Sequence, residues 1–270
     1  MPVFNSIANR KFIVAILFLS LVVTSAKFFP AYSTTPLEQA QIDYSYQLTK
    51  YQDAKTKFDR LYANYTTYKT SIAKNDLFQE TKDYYNQICD LYIAYFLLVN
   101  ERSNSITWES SSYKKDDQYK LLTDEITSIQ NIKKNAQNVQ KLEDFNSLFK
   151  DLNDNITKTG LPTANFVLKT TDVVQIEAVA ANFNKTVDTL DQYAKSKIKD
   201  NNKNLYEDWK SKIDTSKKTI QDEVDADKKF LILYTSPTNA ATATFTPDNP
   251  NAQNIFNQTK ELLREILKYV

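Results

Sequence analysis

The sequence predicts an all-α protein: an elongated bundle of long antiparallel, heptad-patterned helices after an N-terminal signal or anchor segment, with at most one short β-hairpin. Three observations carry that prediction. The 270 residues include one glycine, Gly160. The seven prolines fall at Pro2, Pro30, Pro36, Pro162, Pro237, Pro247 and Pro250, so two long stretches contain none. Proline removes a backbone donor and clashes with the preceding turn, and tight hairpins need residues that tolerate positive φ. Uninterrupted helices are what such a chain can build. Third, Leu37, Tyr44, Tyr51, Phe58, Tyr65 and Ile72 recur at intervals of seven, the signature of a packed helical seam.

The elements follow in order. Residues 1–33 contain Arg10, Lys11 and Lys27 and no acid, with an apolar run from Phe12 to Ala26. A basic start, a short apolar core and small residues at the exit describe a secretory signal, with Ala31-Tyr32-Ser33 or Thr24-Ser25-Ala26 as the cleavage site. If uncleaved, residues 12–32 reach the length of a membrane anchor. Either way, residues 34–270 are expected outside the cytoplasm, secreted or at the cell surface. No cysteine follows the apolar run, which excludes lipid attachment there.

A helical bundle is expected over residues 34–235. Thr35-Pro36-Leu37-Glu38 starts it with a capping hydroxyl, a proline at the first helical position and a glutamate that bonds back. The seam runs to residue 74 and resumes one residue out of phase at Phe78, Tyr85, Tyr92 and Val99. That slip predicts a bend, or a new helix capped by Asp76-x-x-Gln79. The stretch Tyr92–Val99 is apolar all round and reads as the best-buried part of the core. Tyrosines on the seam suggest a broad, partly wet interface. Residues 101–114 are polar and serine-rich, a loop. Leu122, Ile126, Ile129, Ile132, Ala136, Val139, Leu142, Phe145, Phe149, Leu152 and Ile156, at steps of three and four, mark the next helix, which Gly160-Leu161-Pro162 ends as a left-handed cap and a stop. A further helix starts near Asp172, capped by Gln175, and the polar patch 199–204 splits it. Phe230–Thr235 and Thr242–Thr246 are either a small hairpin or, for the first part, a helix end. Residues 236–251 form a proline-, threonine- and asparagine-rich linker, and 252–270 a C-terminal amphipathic helix.

The same composition restricts chemistry. With no histidine, a serine-histidine-aspartate triad, a zinc-protease helix and imidazole-bound haem are excluded. One glycine cannot form a phosphate-cradling loop. A single cysteine, Cys89, forms no internal disulfide and sits beside the apolar stripe as a small buried hydrophobe. Net charge is +1, from 34 basic and 33 acidic residues, so nucleic acid is not an expected partner. Asp222, Glu223, Asp225 and Asp227 place carboxylate pairs three and four residues apart, a weak candidate for a hard cation on what reads as a solvated face. Asp151-x-Asn153-x-Asn155 begins like a calcium loop but lacks its glycine and its final glutamate. The Asn-x-Ser/Thr triplets at Asn64, Asn155, Asn184 and Asn257 match the number expected by chance. No catalytic residue, metal site or cofactor is therefore expected.

The function expected is that of an exported, non-enzymatic structural, adhesion or scaffold protein of the cell envelope. It would act by helix–helix contacts with a protein partner or with itself. Two alternatives stand beside it. One is a membrane-active, pore-forming-like bundle with its apolar head at Tyr92–Val99 or Phe230–Phe245. The other is an extracytoplasmic ligand-sensing bundle.

Overall fold

In a computed structural model, the described residues are 34–108, 112–198 and 203–234, with Glu261 and Arg264. They are all-α: helices α1 (Pro36–Tyr68), α2 (Ser71–Asn104), α3 (Lys115–Gln137), α4 (Phe145–Asn155), α5 (Leu161–Lys197) and α6 (Lys203–Tyr234). A 3-10 turn (Leu142–Asp144) leads into α4, and a π turn (Ile156–Gly160) joins α4 to α5 as one continuous rod. The signal or anchor segment, the linker 236–251 and the rest of the C-terminal helix 252–270 lie outside the described residues.

Helix α2 is the centre of a four-helix body. It runs antiparallel to α1, with Tyr44 against Tyr95 and Tyr51 against Tyr84. It is antiparallel to α3, where Lys133 pairs with Asp90 at 2.5 Å and Lys82 donates to the Gln137 carbonyl. The α4–α5 rod lies parallel to it, through Phe78–Phe145, Tyr85–Phe149 and Arg102–Asp172. One core joins these helices, and Tyr92, Phe96 and Val99 lie deep within it, whereas Leu97 of the same apolar run is exposed, so the run is not enclosed on every side.

Helix α1 starts as its sequence predicts. Thr35 accepts the Glu38 amide, and the Glu38 carboxylate accepts the Thr35 amide in return at 2.8 Å. Its end is earlier than the seam suggests. The phase slip is a complete reversal at Lys69–Thr70, capped by the Thr70 hydroxyl on the Ala73 amide rather than by Asp76. Ile72 thus leaves the seam and is 74% exposed. Lys69 takes the left-handed conformation there (φ 51°).

Three further expectations are corrected by packing. Helix α2 continues through residues 101–104, so the loop begins only at Ser105. The stripe from Leu122 to Ile156 is two helices. The chain breaks after Gln137, where short-range bonds from the Asn138 and Val139 amides tighten the last turn and the Lys82 ammonium caps a free carbonyl. Asp172 is mid-helix and pairs with Arg102 at 3.1 Å, so neither it nor Gln175 begins a helix. Helix α5 ends at Lys197 and α6 begins at Lys203, so Lys203 and Asn204 of the polar patch belong to α6, and 199–202 lie outside the described residues. Residues 230–234 belong to α6 and not to a hairpin.

Gly160 is the sharpest correction. It is helical (φ −61°, ψ −54°) and buried, neither a left-handed cap nor a stop. Its role is close approach: a Cβ there would lie 2.8 Å from Cζ of Phe96, which is itself wholly buried. Pro162 is accommodated because the preceding turn is π-wound, with the Leu161 amide bonded five residues back to Ile156. A widened turn relieves the proline where an α turn would clash. Gly160→Ala gains about 1 kcal/mol of helix propensity but overpacks Phe96, which costs about 1–3 kcal/mol. The expected urea midpoint is therefore below that of the parent, and on a Phe96→Leu background the same change becomes neutral or stabilising.

Beyond Asp172 the rod leaves the body. The second part of α5 and the antiparallel α6 form a two-helix arm, closed by Lys217–Asp188 (2.7 Å) and by Lys228–Glu177 near the body. From Asp172 to Lys197 the arm extends about 37 Å at 1.5 Å per residue. Two small apolar clusters hold it: Val187, Trp209 and Ile213, and Ala180, Ile220 and Val224, with Phe183 packed on both.

Candidate functional site

The acidic run on α6 forms no site among the described residues. Asp222 and Asp225 are exposed, and Asp225 accepts a hydrogen bond from the Gln221 amide at 3.0 Å. The side chains of Glu223 and Asp227 lie outside the described set. Among the described residues no three cysteine, aspartate or glutamate side chains converge on one point that could hold a metal ion.

The concavity with most chemistry lies on the arm, a cleft of about 180 Å³ between α5 and α6. Asp188 and Asp191 come from α5; Tyr206, Lys210, Asp214 and Lys217 come from α6; Trp209 and Ile213 form its apolar wall. Asp191 is its hub. One carboxylate oxygen accepts the Tyr206 hydroxyl and the other holds Lys195 at 2.5 Å. Burial works against the ionised carboxyl, yet the bonds from Lys195 and Tyr206 together hold it below the usual carboxylate range. The Tyr206 hydroxyl moves far upward, first by burial and then by its bond to Asp191. It therefore stays protonated and donates. This geometry makes an interhelical clamp rather than an acid–base pair, because neither partner titrates near neutrality.

A second polar cluster surrounds the π turn. Glu125 on α3 accepts from the Thr159 and Thr163 hydroxyls at 3.3 Å each, and Asn155 donates to Ser128 at 2.9 Å. Burial holds the Glu125 carboxyl above its usual range against the two threonine bonds. Sequence reasoning missed both clusters. The one available signal for the second is Pro162 inside an otherwise helical stripe, which demands a local change of winding.

The seam tyrosines are drier than expected. Tyr44, Tyr51, Tyr85 and Tyr92 are buried, and the Tyr85 hydroxyl donates to the Leu148 carbonyl at 3.3 Å. The partly wet character survives only toward the end of α1, where Phe58, Tyr62 and Tyr65 are half-buried. Cys89 is wholly buried, and burial pushes its thiol up to about 12. At pH 8 a maleimide should leave the native chain unlabelled and add to it once in denaturant, since the thiolate is the reactive form. Labelling of the native chain would contradict the packing around Cys89.

No protein-family model, curated protein or solved structure matches the chain. The geometry alone therefore speaks for function. It offers ion pairs that fasten helices to one another, a small clamped cleft and a projecting arm.

Proposed function

We propose that this chain is an exported, non-enzymatic contact protein of the cell envelope, a structural, adhesion or scaffold component that presents helical surfaces to a protein partner or to a second copy. The observation that supports this reading is the arm. A two-helix hairpin that extends about 37 Å from the body adds little to the main core and much to reach. Along it Tyr193, Val179 and Leu205 are exposed apolar side chains. Two of its acidic groups fasten the hairpin, Asp191 to Tyr206 and Asp188 to Lys217, which favours a role as a held contact surface.

The test is site-specific photo-crosslinking of the full chain in its native cells. A crosslinker at Tyr193 on the arm is expected to give discrete adducts in the envelope fraction. One at the exposed Thr49 on α1 is expected to give few. Equal, diffuse labelling from both positions, or recovery of the chain from the cytoplasm, overturns the proposal.

The membrane-active alternative draws less support. Most of its apolar head at Tyr92–Val99 is packed into the four-helix body, with Leu97 alone of that run exposed, and Thr235–Phe245 lies outside the described residues. Among the described residues no helix is long and apolar enough to cross a membrane.

A further inference from the structure

We propose that the α1–α2 turn is a docking tip for an anionic lipid surface. Three features meet there. The tip extends beyond α3, which ends beside Lys82, and α4, which begins beside Phe78, and is met on one side by the 3-10 turn through Glu143. The turn of Lys69 and Thr70 lies about two helical turns farther out. Its flanks carry the two most exposed large apolar side chains among the described residues, Tyr68 at 69% and Ile72 at 74%. From Arg60 to Asn75 the chain holds Arg60, Lys69 and Lys74 and no carboxylate. Asp59 and Asp76 flank that stretch, Asp59 engaged by Lys55 at 2.5 Å. The fold brings Glu143 to the tip, where Lys74 neutralises it at 2.7 Å.

Aromatic residues with an aliphatic neighbour and cations are what the lipid headgroup region selects. The amphipathic tyrosine ring sits at the interface, the aliphatic side chain enters the acyl boundary, and lysine and arginine meet anionic headgroups. The sign of the charge chooses among occupants. A second copy would set like-charged tips against each other, whereas an anionic bilayer complements the tip. The docking is peripheral and leaves the body folded, since Tyr68 and Ile72 contribute nothing to the core. It does not rest on the arm or on its partner.

A fluorophore at the tip of the full chain tests this. Cys89 is buried, so a cysteine introduced as Ser71→Cys accepts an environment-sensitive dye selectively, and Lys197→Cys at the far end of the arm serves as control. Phosphatidylcholine vesicles containing phosphatidylglycerol are expected to shift the emission of the dye at position 71 to the blue. Pure phosphatidylcholine vesicles, and the dye at position 197, are expected to give no shift. Lys69→Glu should weaken the response about thirtyfold, as reversal of one charge near an anionic surface implies, and added salt should weaken it further. Tyr68→Ser with Ile72→Ser should abolish it while far-UV circular dichroism stays unchanged. The proposal is overturned by no shift at position 71, by equal shifts at 71 and 197, or by a response indifferent to the double substitution. A shift that needs no vesicles and grows with protein concentration also overturns it, by identifying a second copy as the occupant.

Discussion

Phe145→Ala is expected to lower the free energy of unfolding by about 3–5 kcal/mol, the range for truncating a buried phenylalanine in a core that cannot collapse around the gap. Phe145 is wholly buried where three segments meet. Its ring stands edge-on to Phe78 at 5.9 Å between centroids, tilted to Tyr85 at 5.9 Å, and against Phe149 one turn on at 6.3 Å. It is also the first residue of α4, directly after the 3-10 turn, so it fixes where the chain re-enters the bundle. The surrounding rings are held from different helices and cannot all move inward, which places the expected cost high in the range. Urea denaturation should show a lower midpoint with an unchanged slope. Ile72→Ala, at the exposed tip, supplies the contrast and should stay within about 0.5 kcal/mol of the parent. A loss below about 1 kcal/mol for Phe145→Ala would mean that the cluster repacks and does not anchor α4.

The helices were legible in the sequence because their signal is local. Period and polarity alone place Tyr44 and Tyr51 on the buried stripe of α1 and Tyr85 and Tyr92 on that of α2, and the start of α1 needs only Thr35, Pro36 and Glu38. The turns were harder to place, since a threonine able to cap a helix looks like any other threonine. The sequence points to Asp76, and only the geometry of the reversal reveals Thr70 as the cap. Gly160 was visible but ambiguous, for a glycine can serve positive φ or close approach. The choice depends on Phe96, which comes to lie against it only through the packing of α2 on the rod. The clamp of Asp191 and Tyr206 escaped for a related reason. Stripe reasoning follows apolar residues, and a polar pair across a helical hairpin leaves no periodic trace. Of the acidic run on α6, Asp222 and Asp225 face solvent, as the solvated-face reading expects, while the side chains of Glu223 and Asp227 lie outside the described set.

Trp209→Ala is expected to separate the arm from the body. Trp209 is nearly wholly buried and packs with Val187, Ile213 and Phe183, so its truncation also costs about 3–5 kcal/mol. The consequence should nevertheless differ from that of Phe145→Ala. Among the described residues the arm has two small clusters, and a two-helix hairpin with so little core has a small margin of its own. Its ion pairs do not make up that loss, because Lys217–Asp188 and Lys195–Asp191 lie at the surface, where such pairs contribute about 0–1 kcal/mol each. The helix α5 crosses between the two parts, but the body holds it only as far as Asp172, Val173 and Val174. Hydrogen exchange of the variant should therefore show lost protection from about Ile176 through α6, with α1 to α4 protected as in the parent. Thermal melting followed by circular dichroism should resolve into two transitions. The distinction bears on function, because a contact protein that works through its arm should lose its crosslinked partner in Trp209→Ala while the body remains folded. Uniform loss of protection across all helices would mean instead that arm and body fold as one cooperative unit, and the arm would then be part of the scaffold rather than an appendage on it.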